Sequence, residues 1–71
     1  MNAHDLLCLA VLWRTNSPNL GCVSTHEAMT EAGLAYMLGH YSGLPRRYKR
    51  VRAAWRNRIA DILEQKAKET K

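Results

Sequence analysis

Phenylalanine is absent from this chain of 71 residues, and only two tryptophans, three tyrosines, two cysteines and two prolines are present. Each shortage excludes something. With no Phe and little apolar–polar alternation, a β-sandwich or barrel would lack the residues from which its core is built. Two cysteines, Cys8 and Cys22, are too few for the disulfide framework of a small secreted domain. They read instead as small buried thiols in a reducing cytoplasm. Acidic residues are scarce, six against eleven Lys and Arg for a net charge of +5, which counts against an acidic mimic of nucleic acid. Long hydrophobic runs are missing too. The longest, Leu6–Trp13, falls far short of the ~20 apolar residues that span a bilayer, so no membrane partner is expected. No basic segment precedes that run and no small-residue cleavage site follows it, so it is not read as a signal peptide.

A chain of this length makes one domain that buries only about 60% of its unfolded surface. The expected domain covers residues 1–64, and residues 65–71, with no large apolar side chain, are expected to fray or to be disordered. Charge is segregated along the chain. Residues 1–45 carry a net −2, residues 46–58 carry +7, and residues 59–71 are balanced. Segregation on this scale suggests a docking surface.

The segment that dominates the sequence is Leu44–Arg58, with Arg46, Arg47, Lys49, Arg50, Arg52, Arg56 and Arg58 and no acid between Arg46 and Arg58. At 100° per residue, Val51, Trp55, Ile59, Ile62 and Leu63 fall within about 60° of Tyr48. The spacing therefore predicts a helix with a core-facing Tyr–Val–Trp–Ile stripe wrapped in positive charge. A helix built only for solubility mixes signs and places Glu four residues before Lys or Arg. Here there is no acid to pair with, and the positive charge sits where the helix dipole prefers anions. The seven basic residues are thus the candidate site for a protein or nucleic-acid partner.

Elsewhere, Asn2 and Asp5 form a capping pair that opens a helix over about residues 3–14, apolar all round and expected to lie centrally in the core. Thr15–Gly21 is turn chemistry, with room for a short hairpin around residues 15–23. Ser24-Thr25-His26-Glu27 matches a capping box opening a second helix that stops at Gly33. A short helical piece from Leu34 ends near Gly39–Gly43, and Pro45 stands in the first turn of the basic helix. The expected fold is all-α, a small bundle of three to four helices with a long basic C-terminal helix. Its core would hold Leu6, Leu9, Val11, Leu12, Trp13, Met29, Leu38, Val51, Trp55, Ile59 and Ile62.

Candidate chemistry is sparse. Cys8, Cys22, His26 and His40 include a Cys-x-x-x-His spacing, but zinc modules bring ligands in two close pairs on turns, so no metal or other cofactor is expected. No phosphate loop, paired carboxylates or nucleophile with a local base is present, and no enzyme activity is expected. Thr25–Ser42 has the outline of a helix-turn-helix, yet its second helix holds no Arg, Lys, Asn or Gln to read base edges. Trp55-Arg56-Asn57-Arg58 has a Trp-to-Asn spacing of two where a homeodomain third helix has three, so no base-reading role transfers.

The opening Met1-Asn2-Ala3-His4-Asp5-Leu6-Leu7-Cys8, the length and the single Arg-rich helix from Arg46 to Arg58 carry a resemblance over the full chain. The chain resembles the small bacteriophage-encoded regulators that bind host RNA polymerase, of the kind used by lytic Xanthomonas phages. The resemblance implies binding to the polymerase β and β′ subunits, interference with the σ factor that inhibits initiation at promoters, and antitermination. A monomer in the cytoplasm of a bacterial host is expected. The alternative is a DNA-binding, helix-turn-helix-like repressor or accessory protein.

Overall fold

The computed structural model describes residues 1–70, and those residues contain four α-helices and no strand. Helix α1 spans Ala3–Arg14, α2 Val23–Glu31, α3 Ala35–Gly43 and α4 Lys49–Glu69; a 3-10 turn, Pro18–Gly21, joins α1 to α2. The all-α fold with a long C-terminal helix is as expected. The 3-10 turn takes the place of a hairpin around residues 15–23.

Helix ends follow the local sequence closely. Asn2 Oδ1 accepts the Asp5 amide at 2.8 Å and caps α1. The C-termini of α1 and α2 share one solution. Asn16 (φ 51°) and Gly33 (φ 78°) adopt the left-handed conformation just past each helix. Their amides, and those of Ser17 and Leu34, return to the carbonyls of Trp13 and Leu12 and of Thr30 and Met29, respectively. These are Schellman motifs, which satisfy the last carbonyls of a helix. After Gly33 the motif also seals itself, because Leu34 is buried. The expected capping box differs: α2 begins at Val23 with Cys22 at the N-cap and no side-chain cap. Thr25 explains the shift. Its hydroxyl donates to the Asn19 carbonyl at 2.7 Å, tying the first turn of α2 to the 3-10 turn.

The core is built from Leu6, Leu9, Ala10 and Trp13 of α1, Met29, Leu34, Met37, Leu38 and Tyr41 around α2 and α3, and Ile59, Ala60, Leu63 and Ala67 of α4. Positions 6, 9, 10 and 13 form a helical stripe, so α1 is amphipathic in use although not in composition. Leu7 and Val11 are exposed and Leu12 is half-buried, which corrects the expectation of an all-round buried helix with Val11 in the core. Cys8 and Cys22 are also exposed, not buried.

Helix α1 packs chiefly on α4 and runs antiparallel to it. Met1 and Leu6 share a depression with Lys66, Glu69 and Thr70, while Arg14 at the other end reaches Asn57, Asp61 and Glu64. At 1.5 Å per residue, α1 is about 18 Å long and α4 about 31 Å. The N-terminal part of α4 therefore runs on beyond the end of α1. The C-terminal part of α4 stays helical through Glu69 and buries Ala67, in the segment where fraying was expected. Lys71, the last residue of that segment, lies outside the described residues.

The expected seam is buried only in part: Ile59 and Leu63 are enclosed, and the part beyond the end of α1 is not. Tyr48 and Val51 are 47% and 45% exposed, and Trp55 and Ile62 are half-buried. The face that α4 buries is centred roughly 80° round the helix from the expected stripe, counting 100° per residue. Two alanines, Ala60 and Ala67, lie on it and allow α1 to approach closely. Nothing of α1 remains opposite Tyr48 and Val51. Helix α4 also starts later than expected, at Lys49, and Pro45 sits in the preceding turn, where its carbonyl accepts the Tyr48 amide at 3.0 Å.

Candidate functional site

The seven basic residues divide into two sets. Arg46, Arg47, Lys49, Arg50 and Arg58 are exposed, and Arg52 and Arg56 are half-buried against Tyr41. The Tyr41 ring stands edge-on to the buried Trp13, with centroids 5.1 Å apart and an interplanar angle of 85°. That contact anchors Tyr41 in the core and leaves its hydroxyl at the rim.

Both half-buried arginines converge on that hydroxyl. Arg52 Nη2 donates to Tyr41 Oη at 3.1 Å and Arg56 Nη1 does so at 3.0 Å. Arg52 Nη1 also donates to the Leu44 carbonyl at 2.8 Å, and its guanidinium carbon lies 4.3 Å from the Tyr41 ring centroid. Two like charges spaced i, i+4 repel by about 0.2–0.5 kcal/mol on a helix. Neutral acceptors and a ring face hold them in place here, and no carboxylate does.

The local acids are engaged elsewhere. Arg14 donates to both carboxylate oxygens of Glu64, at 3.0 and 2.9 Å, and to Asp61. Donating to Glu64 and Asp61 pushes the Arg14 guanidinium further up from its ordinary value, and accepting from Arg14 holds Glu64 below the ordinary carboxylate range. Among the described residues, the ion pairs involve Arg14 and the Met1 amine and none of the seven basic residues. The first turn of α4 likewise has no acid and no side-chain cap. The positive charge of residues 46–58 is oriented but not neutralised.

Two surfaces flank this part of α4. On one side the apolar shoulder of exposed Tyr48 and Val51 and half-buried Trp55 meets α3. There the Trp55 ring stacks on His40, with centroids 5.9 Å apart and planes within 9°, and Tyr36 is exposed. The Arg47 guanidinium lies 5.2 Å from the Tyr48 ring centroid, and Arg58 lies on the same side of α4 as Val51 at 100° per residue. On the other side, Asn16, Tyr41, Arg46, Lys49, Arg52 and Arg56 line an open cleft of about 390 Å³.

Tyr41 and His40 join these surfaces, a role the sequence did not assign to either. Their contacts to Arg52, Arg56 and Trp55 of α4 cross 11 residues or more, and no local pattern encodes them. The possible metal ligands do not meet. The Cys8 sulfur is 3.8 Å from the His4 ring nitrogens, that of Cys22 is 3.9 Å from Asn19, and His40 is stacked on Trp55. No group of three or more His, Cys, Asp or Glu side chains converges among the described residues, and no helix among them is long and apolar enough to cross a membrane. The α2–α3 pair turns at Gly33 as a helix-turn-helix would, but the exposed side of α3 presents Ala35, Tyr36, Gly39, His40, Ser42 and Gly43, a poor set for reading bases. What the arrangement offers chemically is positive charge, hydrogen-bond donors and aromatic faces. No family model, curated protein or solved structure matches the chain.

Proposed function

We propose that the chain is a transcription regulator of the small phage-encoded type, which docks on bacterial RNA polymerase in the cytoplasm through the α4 shoulder. Docking would inhibit initiation and modulate termination, with the β and β′ subunits, named by the sequence resemblance, as the contact. The observation that supports docking is the exposure of Tyr48 and Val51 beside half-buried Trp55, ringed by cations that have no acidic partner. Trp, Tyr and Arg are the residues in which binding energy concentrates at protein interfaces. Unpaired arginines draw an acidic surface in by long-range attraction and orient it through bidentate carboxylate pairs.

Arg52 and Arg56 serve this reading as internal supports, so the test uses Arg47→Glu combined with Arg58→Glu, both exposed and on the shoulder's side of α4. Wild-type protein immobilised with purified polymerase is expected to retain β and β′ after nuclease treatment and to reduce promoter transcription in vitro. The double variant is expected to keep its helix content and lose both effects at moderate salt. Retention of polymerase by the folded double variant would assign docking to another face. Loss of all partners from a lysate on nuclease treatment would favour the DNA-binding alternative, in which phosphates are held without base readout and affinity falls steeply with salt.

A further inference from the structure

The cleft beside Tyr41 lies roughly 100° round α4 from the docking shoulder, counting 100° per residue, and uses different side chains. Its wall carries four cations, Arg46, Lys49, Arg52 and Arg56, with no carboxylate among the lining residues. Its floor is Tyr41, a residue only 7% exposed. The Tyr41 oxygen accepts from both guanidinium groups, and its own proton has no acceptor among the hydrogen bonds of the described residues. Asn16, placed by its left-handed backbone at the end of α1, adds an amide.

A second depression of about 390 Å³ shares Asn16, Tyr41, Arg46 and Arg52 with the first. It continues into Ser17, Ser42, Leu38 and Leu44, a mixed polar and apolar lining. One end of the furrow is therefore rich in fixed donors and positive charge, and the other suits a neutral organic moiety.

From this geometry we infer that the Tyr41 cleft is a phosphate-binding site, with Arg52 and Arg56 pre-aimed by the Tyr41 hydroxyl and Arg46 and Lys49 closing on the oxyanion. A phosphate matches on each count. It is an acceptor on every oxygen, it relieves the repulsion among four gathered cations, and guanidinium forks fit its geometry. The phosphate can arrive in the backbone of a nucleic-acid strand or as free inorganic phosphate.

Tyr41→Phe is the informative change because it removes one hydroxyl and leaves every charge in place. A fluorescent short oligothymidylate is titrated with the full chain, and anisotropy is read at several salt concentrations. The variant is expected to bind roughly five- to tenfold more weakly, the loss expected of one oriented hydrogen bond, with the salt slope unchanged. Arg46→Gln with Lys49→Gln is expected to weaken binding more than Arg47→Gln with Arg58→Gln, a change of equal charge outside the cleft. Equal losses in the two double variants, or an unaltered affinity in folded Tyr41→Phe, would overturn the site. Should Tyr41→Phe fail to fold, the comparison of exposed pairs still decides.

In parallel, the side-chain Nε–H resonances of Arg52 and Arg56 are followed by NMR with the oligonucleotide and with inorganic phosphate separately. A shift with the strand alone identifies the nucleic-acid backbone as the source, and a shift with inorganic phosphate alone identifies the free anion. A shift with neither overturns the proposal. Polymerase retention is unaffected by this result, so the failure of one reading leaves the other standing.

Discussion

Single residues decide which hydrophobic side chains this protein buries. Trp13, Met29, Ile59 and Leu63 are fully enclosed, and Trp13 satisfies its indole N–H by donating to the Met29 sulfur at 3.3 Å. Val51 looks just as apolar on paper and is exposed. The two kinds of position separate in a denaturation experiment. Ile59→Ala empties a buried site and is expected to cost about 2–5 kcal/mol. Val51→Asn, on the exposed shoulder, is expected to change stability by no more than about 0.5 kcal/mol. Urea unfolding followed by circular dichroism measures both. An unfolded or strongly destabilised Val51→Asn protein would mean that the shoulder belongs to the core. About half of the core was legible in the sequence, namely Leu6, Leu9, Trp13, Met29, Leu38 and Ile59. Val11 and Val51 were misplaced because hydrophobicity marks the ability to be buried, while burial itself requires something opposite.

At the scale of the element, helix ends were more legible than helix faces. Asn2 and Gly33 each act through bonds to residues a few positions away, so sequence and structure agree on them. Gly33 holds φ 78°, a region that costs a residue with a Cβ roughly 1–2 kcal/mol. Gly33→Ala is therefore expected to lower the unfolding free energy by that amount even though no heavy atom crowds an added Cβ. Thermal unfolding of the pair of proteins reads it directly. Ser24 misled for an instructive reason: a capping box was present in the letters, but Thr25 bonded backward to Asn19 and moved the helix start to Val23. For α4, the helix and its charge were legible and the direction of its face was not. Periodicity gives the apolar stripe that a helix possesses, and the neighbouring helix selects which part of it is covered.

For the molecule as a whole, the unequal lengths of α1 and α4 organise both the core and the exposed charge. Over the shared length they pack through small and large residues and are clasped by Arg14 with Glu64 and Asp61. Beyond it, α4 carries its charge and its aromatic shoulder into solvent. The clasp makes stability depend on pH in a defined direction. Arg14 holds the Glu64 carboxyl below its ordinary range, so in acid the unfolded chain takes up a proton that the folded one resists. The contribution is fully present above the ordinary carboxylate range and is lost as pH falls through the depressed folded value. Melting temperatures of wild type and Glu64→Gln are thus expected to differ at neutral pH and to converge in acid. A gap that persists at low pH would show that the clasp is not what Glu64 contributes.

The sequence by itself determined the helical class, the helix stops at Gly33 and after Arg14, and the concentration of seven cations within residues 46–58, because composition, turn chemistry and charge are local properties. Only the tertiary structure decided that Arg52 and Arg56 turn inward to Tyr41 while Tyr48 and Val51 turn out. It also brought Asn16, Tyr41, Arg46 and Lys49 to one cleft. Those outcomes depend on where α1 ends against α4 and on Trp13 fixing Tyr41 from across the core, contacts between distant positions whose energies no single stretch of the chain contains.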